Sequence, residues 1–187
     1  MKRLDSVKES CNANCISPLE KFREKFREKN EEFSELLEEL IRVSSTEINF
    51  SFGLFSETVE SLLTKIEFCK NALAELATTS LKILDMERSF NRDEIDKFNI
   101  EFIEAIRNLS NLKKFYTDSI REFPDYELKL NPKKISLDRI LDSLNKNIAK
   151  YNRKNPSKRI FTEAEAEAAS KLEEANVGKK HGLNSLR

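Results

Sequence analysis

The chain of 187 residues contains only three glycines, four prolines, one histidine and no tryptophan. Glycine adopts positive φ without a steric penalty, so sheet proteins and phosphate-binding α/β folds depend on it at their turns. The scarcity of glycine therefore argues against a Rossmann, P-loop or β-rich fold. The one histidine, His181, lies among lysines near the C-terminus, where no orienting partner for a catalytic imidazole is close in sequence.

Long apolar runs are also missing. No segment approaches the roughly 20 apolar residues of a bilayer-spanning helix. The first 16 residues lack the apolar centre of a secretory signal. Cysteine is sparse and odd in number, at Cys11, Cys15 and Cys69, which favours a reducing compartment over a disulfide framework. We therefore expect a cytoplasmic protein.

Charge is abundant but balanced, with 33 Lys and Arg residues against 33 Asp and Glu residues. The whole chain consequently exerts no net attraction on nucleic acid or on an anionic membrane. Apolar residues recur at alternating spacings of three and four between the charged positions, as in amphipathic helices. This pattern predicts an all-α fold: an antiparallel bundle of three long amphipathic helices plus one or two short C-terminal helices. The predicted helices cover about 17–43, 46–89, 92–123 and 136–151. The predicted core includes Phe26, Phe33, Phe55, Leu62, Ile66, Phe102 and Leu109.

Capping residues and prolines set most of the predicted helix limits. Ser17-Pro18 begins the first helix, and Asn91 with Glu94 forms a capping box at the start of the third. Pro124 ends the third helix because a helix interior cannot accommodate its ring. Residues 124–134 are interpreted as a loop, with weak strand-like alternation over 126–130.

The sequence does not decide how the first two helices are joined. The polar stretch Ser44–Glu47 favours a turn, but no glycine or proline there excludes one continuous helix over 17–89. A helix over 46–89 would be about 66 Å long. Such a helix would extend past its neighbours as a docking surface unless it bent near Thr78–Ser80.

The chain is expected to have three parts: a flexible N-terminal segment (1–16), the helical bundle (17–161), and an alanine- and glutamate-rich helix with a mobile tail (162–187). The tail resembles, in composition, the glutamate-rich C-terminal signals of bacterial effectors exported by type IV secretion. The residues that carry this resemblance are Glu163, Glu165, Glu167, Glu173, Glu174, Lys179, Lys180, Leu183 and Leu186.

No motif for catalysis or metal binding stands out. Cys11 and Cys15 are four residues apart, but a structural zinc site needs four nitrogen or sulfur ligands. The Glu-x-x-His motif of di-iron bundles does not occur, and no acidic residue is recognised on the inward side of the apolar stripes. We therefore expect a protein that is not an enzyme, with no catalytic residue, cofactor or metal.

One basic segment breaks the charge balance. Residues 124–161 carry ten Lys and Arg against four Asp and Glu, a net charge of +6, whereas residues 1–123 carry −5. Either this segment contacts an acidic partner, or it neutralises acidic faces of its own molecule. The candidate partner-binding residues are Lys133, Lys134, Arg139, Lys146, Lys150, Arg153, Lys154, Lys158 and Arg159.

The predicted function is that of an adaptor, scaffold or assembly subunit that binds another protein through helix faces and the basic segment 133–159. The partner is expected to be acidic, and the heptad helix 46–89 is a candidate for coiled-coil pairing with a second copy. A membrane surface or nucleic acid is a lesser option. The alternatives are a coat or membrane-surface protein with amphipathic helices on lipid or on a granule, and a secreted bacterial effector.

Overall fold

The computed structural model describes residues 18–47, 57–86 and 90–160, and within these ranges it contains helices but no strand. The prediction of an all-α fold is therefore confirmed. Four α-helices of similar length follow one another, with a 3-10 turn before the last helix and another after it. The helices are α1 (Pro18–Glu47), α2 (Glu57–Met86), α3 (Arg92–Glu122) and α4 (Glu127–Lys154), and the 3-10 turns are Pro124–Tyr126 and Pro156–Lys158.

The predicted start of α3 is confirmed in detail. The Asn91 side chain accepts a hydrogen bond from the backbone N–H of Glu94, and the Glu94 carboxylate accepts one from the backbone N–H of Asn91, each at 2.9 Å. This reciprocal capping satisfies two backbone donors that the first helical turn leaves without partners. α3 ends at Glu122, one residue short of the predicted limit at 123 and just before Pro124.

Two ion pairs show that α2 and α4 run in the same direction. Lys129 contacts Glu60 at 2.7 Å, and Lys154 contacts Asp85 at 2.8 Å. Both pairs join residues 69 positions apart. Because the two pairs are separated by about 37 Å along each helix, only parallel helices can form both.

Helices that follow one another in the chain run in opposite directions. The Cys69 thiol contacts the Lys29 carbonyl at 3.8 Å. If α1 and α2 were parallel, this contact would place Glu47 and Glu57 about 45 Å apart. The residues between them span at most about 36 Å, which is too short for that distance, so α1 and α2 must run in opposite directions. The Lys113–Asp138 ion pair and the short connection between α3 and α4 impose the same reversal there.

The four helices enclose one apolar core. α1 and α4 each pack against both α2 and α3, which also touch each other, so within the described ranges α1 and α4 occupy opposite corners. The rings of Phe26 and Phe102 meet edge to face with centroids 5.7 Å apart, a favourable aromatic geometry. The predicted core residues Phe26, Phe33, Leu62, Ile66, Phe102 and Leu109 are all buried, and Phe55 lies outside the described residues.

α1 begins at Pro18, in agreement with the predicted start, but the predicted boundary between the first two helices was wrong. The predicted turn at Ser44–Glu47 is the last part of α1, where the Ser45 hydroxyl donates to the Ile41 carbonyl. α2 then begins at Glu57 and continues without a break through Thr78–Ser80, with the Ser80 hydroxyl donating to the Leu76 carbonyl. Hydroxyl side chains that bond within the helix do not need to end it. α4 accompanies the described part of α2 from Glu60 to Asp85, so this part of α2 does not stand alone as an overhang.

The predicted loop over 124–134 and the predicted start of the fourth helix near Ser136 were also wrong. α4 begins at Glu127, directly after the 3-10 turn, and includes Pro132 on its exposed side. Leu130 is fully buried one heptad before Leu137, so core packing extends the helix toward the N-terminus. The helix also continues three residues past the predicted end, to Lys154. The predicted segments 1–16 and 162–187 lie outside the described residues.

Candidate protein interaction surface

The outward side of α4 carries four exposed cations, Arg139, Lys146, Lys150 and Arg153, which we call the α4 basic face. Spacings of seven, four and three residues place them on one side of the helix. The opposite side is buried in the bundle through Leu130, Leu137, Leu141, Leu144, Ile148 and Tyr151. Core packing therefore fixes the helix that presents these cations to solvent.

The α4 basic face differs from the other charged surfaces of the bundle. On α1 and α3, exposed cations pair with acids three or four residues away, as in Arg42–Glu39 and Arg121–Asp118. The four cations of the α4 basic face form no hydrogen bond or close ion pair with the described part of the chain, although the Lys150 charge is near enough to Asp85 of α2 to help lower its pKa. Asp142 is the one acid on this side of α4. Lys146 and Lys150 are four apart, a spacing at which like charges repel.

Three other members of the predicted basic set lie at the C-terminal end of α4 and beyond it. Lys154 pairs with Asp85 of α2, and the Lys158 ammonium donates to the Phe90 carbonyl at 2.8 Å. The hydrogen bond from Lys154 and its positive charge hold the pKa of Asp85 below its ordinary value. Arg159 is exposed, but buried Ile160 beside it is fastened to Asn152 by two hydrogen bonds. This end of the basic segment contacts its own bundle, as in the self-neutralising interpretation.

The remaining two members, Lys133 and Lys134, are half-buried on the two flanks of the apolar stripe. Residues three and four after Leu130 lie on either side of it, so the two lysines leave α4 on opposite flanks of the stripe. The structure thus divides the nine predicted residues into four outward cations, three near the C-terminal turn and two at the flanks. Lys129, which was not among the predicted residues, pairs with Glu60.

Polar groups also lie inside the bundle, contrary to the expectation that no acid faces inward. Between α2 and α3, the Tyr116 hydroxyl donates to Glu67 Oε1 at 2.9 Å, and the Lys70 ammonium donates to Glu67 Oε2 at 2.5 Å. The Lys70 side chain is only 1% exposed. Burial, followed by the nearby Glu67 charge, raises the pKa of Tyr116, which keeps its hydroxyl protonated as a donor.

A second inward acid, Glu101, lies where α1 crosses α3. The Asn30 amide donates to the Glu101 carbonyl at 3.0 Å and to the Glu101 carboxylate at 3.4 Å. Asn108 donates to the Asn30 carbonyl at 3.3 Å. Burial raises the pKa of Glu101, while the hydrogen bond from Asn30 acts in the opposite direction. The second polar atom of the Asn30 amide, Oδ1, is buried without a hydrogen-bond partner among the described residues.

The geometry of both clusters fits a role in specifying helix contacts. Each contains hydrogen bonds that cross a helix–helix interface, and such bonds favour one register over others, although Asn30 Oδ1 in the α1–α3 cluster stays unsatisfied among the described residues. The described surface also has a shallow concavity of about 220 Å³ along α1, lined by Glu20, Arg23, Glu24 and Arg27. Its four lining residues come from one helix, so it does not enclose a ligand between elements.

Metal and thiol chemistry has little support within the described ranges. No group of His, Cys, Asp and Glu residues there is placed to hold a metal ion. Cys69 is a free thiol buried in the core, where burial raises its pKa to about 11 and suppresses the reactive thiolate. Cys11, Cys15 and His181 lie outside the described residues.

No protein family model matches the chain, and neither the curated proteins nor the solved structures searched include a significant match. Among the helices described, none combines the length and the apolar character needed to cross a membrane.

Proposed function

We propose that this chain is a non-enzymatic helical interaction protein, an adaptor, scaffold or assembly subunit, that binds an acidic protein partner through the α4 basic face. The observation that carries the proposal is the set of four exposed cations on one side of a core-anchored helix, without ion pairs to the described residues. A reducing, cytoplasmic location is part of the proposal, because the sequence has few cysteines and Cys69 is a buried free thiol.

Helix stability does not account for the α4 basic face. Like charges four residues apart destabilise a helix by a few tenths of a kcal/mol. An acidic partner would remove this repulsion and would add electrostatic attraction that accelerates encounter. The Lys154–Asp85 pair, in contrast, already joins α4 to α2. We therefore assign partner contact to Arg139, Lys146, Lys150 and Arg153 and leave Lys154 and Lys158 to the bundle.

The alternatives retain less support from the described geometry. A lipid- or granule-coating protein would need apolar helix faces, and in the bundle these faces are buried against one another. Pairing of two copies through 46–89 would compete with the bundle, because the α2 stripe from Val59 to Leu84 is buried within one chain. The effector alternative depends on the tail, which lies outside the described residues.

The test reverses the four cations together, as Arg139→Glu, Lys146→Glu, Lys150→Glu and Arg153→Glu. The matched control reverses four exposed lysines of α2 and α3, Lys65, Lys82, Lys97 and Lys114, and changes the net charge equally. Binding of labelled poly-glutamate, duplex DNA and phosphatidylserine-containing vesicles is measured at low and high salt. Circular dichroism and thermal melting check that both variants fold.

The expected result is salt-sensitive binding of poly-glutamate that only the α4 variant loses, since screening shortens to about 3 Å at 1 M salt. Partners recovered from native lysate and identified by mass spectrometry should be lost from the same variant. Equal binding by the parent and both variants would contradict the proposal. Preferential binding of DNA or vesicles through the same cations would replace the acidic protein with that ligand class.

A further inference from the structure

The outward side of α4 contains a second periodic pattern besides the buried stripe. Alternating steps of four and three residues run along this side from the first turn of the helix to the last, the spacing of a coiled-coil seam. The positions fall in two rows with seven-residue spacing. One row contains Leu128, Ile135, Asp142 and Ala149, and the other contains Pro132, Arg139, Lys146 and Arg153.

The N-terminal half of this outer seam is apolar and exposed. Leu128 is 90% exposed and Ile135 is 44% exposed, although the buried stripe on the other side of α4 already completes the core. Ala149 continues the Leu128 row on the exposed side. Neither large side chain contributes its full apolar area to the bundle, so burial by a partner would release water from surface that folding leaves exposed.

The C-terminal half of the outer seam is cationic. Arg139, Lys146 and Arg153 repeat every seven residues, and Lys150 lies beside them. A flexible acidic chain could approach such a row, but a helix can place one carboxylate opposite each cation, because its own heptad positions recur with the same period. Asp142 interrupts the neighbouring row and repels an acidic residue placed opposite to it.

We propose that the occupant of the outer seam is an amphipathic α-helix of another protein. This inference rests on the proposed function and adds the form of the partner: acidic side chains at seven-residue spacing opposite Arg139, Lys146 and Arg153, and apolar side chains opposite Leu128 and Ile135. The seam from Leu128 to Arg153 is about 37 Å long. A partner helix of roughly 25 residues therefore covers it.

The test uses the full chain and two synthetic helical peptides of identical composition. In the register peptide, glutamates and leucines occupy the heptad positions that match the outer seam. The shuffled peptide has the same composition and also forms a helix, but its glutamates and leucines do not occupy the heptad positions that match the outer seam. Fluorescence anisotropy with each labelled peptide, and with labelled poly-glutamate, should show the register peptide binding at least about tenfold more tightly, as expected for several matched charge pairs and two buried side chains.

Two variants separate the apolar contribution from the ionic one. Leu128→Ser with Ile135→Ser should weaken the register peptide several-fold and leave poly-glutamate binding unchanged. The matched control, Phe68→Ser with Ile100→Ser, removes two exposed apolar side chains on the outward sides of α2 and α3. It should change the binding of neither the register peptide nor poly-glutamate. Circular dichroism of both variants checks that the helical content is retained.

The outcomes distinguish this inference from the proposed function. If both peptides and poly-glutamate bind equally, the outer seam does not select a helix, while the acidic-partner proposal stands. If poly-glutamate and both peptides fail to bind, both proposals fail. If sedimentation shows a dimer that Leu128→Ser with Ile135→Ser dissociates, the occupant is a second copy, and the inference of a different acidic partner is overturned.

Discussion

At the scale of single residues, Glu101 is the carboxylate whose position is hardest to reconcile with charge at neutral pH. It is 6% exposed at the α1–α3 interface, and its best side-chain donor, Asn30, is 3.4 Å away. Burial raises its pKa, Glu104 raises it further, and Arg27 and Arg23 lower it. A buried carboxylate with incomplete hydrogen bonding costs free energy that the protonated form does not.

The sign of the pH dependence follows from the raised pKa. Stability contributed by protonated Glu101 is fully present below the pKa of the unfolded chain and is lost as the pH rises through the higher folded pKa. Glu101→Gln keeps the shape and removes the charge, so it should stabilise the protein at pH 7 by on the order of 1 kcal/mol. Urea unfolding at pH 7 and pH 4 measures this difference. The gain should shrink at pH 4, and Glu35→Gln, at an exposed site on α1, should show no comparable gain.

The sequence could not identify the inward polar residues. Lys70 and Glu67 flank the apolar positions Ile66 and Leu73, where a charged side chain is usually a solvated neighbour of the core. Their burial depends on Tyr116, 49 residues from Glu67, which supplies the hydroxyl that completes the cluster. A single helical pattern contains no information about a donor on another helix.

At the scale of one element, α4 includes Pro132 in its interior. A proline there lacks the N–H that would bond to the Leu128 carbonyl, and its ring crowds that carbonyl. Both residues lie on the exposed side, where water can hydrate the carbonyl, and Leu130 and Leu137 hold the helix against the core. Tertiary packing therefore outweighs the local preference of proline.

Pro132→Ala should stabilise the protein, because alanine restores the backbone hydrogen bond and favours the helix. The interior penalty of proline is about 3 kcal/mol, partly offset by the greater entropy that alanine gives the unfolded chain, so a net gain of on the order of 1–2 kcal/mol is expected. Chemical denaturation measures it. Pro156→Ala, at the start of a 3-10 turn where proline fits, should not stabilise. A loss of stability on Pro132→Ala would show that the proline is needed in this helix.

This element also shows how far the sequence determined the fold. Asn91, Glu94 and Pro124 acted through local hydrogen bonds and ring geometry, so the limits of α3 could be predicted to within a residue. Local rules interpreted residues 124–134 as a loop and Ser44–Glu47 as a turn, and packing overruled both. For the candidate site, the spacings of seven and four residues are enough to place Arg139, Lys146 and Lys150 on one side of a helix. Such spacing could not show that Lys154 reaches Asp85 on a helix 69 residues away.

At the scale of the whole molecule, the direction of α4 decides which charges meet. With α4 parallel to α2, Lys129 and Lys154 contact Glu60 and Asp85 at the two ends of one interface. Each exposed pair stabilises the fold by only about 0.2–1 kcal/mol. The pairs are therefore evidence that α2 and α4 are parallel and not the main cause of it. The shared apolar core and the short connections impose the arrangement, and the outward direction of the α4 basic face follows from it.

Crosslinking tests this arrangement directly. Cysteine pairs at 60 and 129 (Glu60→Cys with Lys129→Cys) and at 85 and 154 (Asp85→Cys with Lys154→Cys) should both crosslink with a short bismaleimide reagent. The crossed pair at 60 and 154 should not, because its sites lie about 37 Å apart along parallel helices. Cys11→Ser and Cys15→Ser remove two background thiols, and buried Cys69, with its pKa raised to about 11, should react slowly at neutral pH. Digestion and mass spectrometry identify the products.

Efficient crosslinking of the crossed pair, with failure of the two direct pairs, would mean that α4 runs opposite to α2. The Lys129–Glu60 and Lys154–Asp85 ion pairs could not then both form. The assignment of basic residues to the bundle or to the α4 basic face would be wrong.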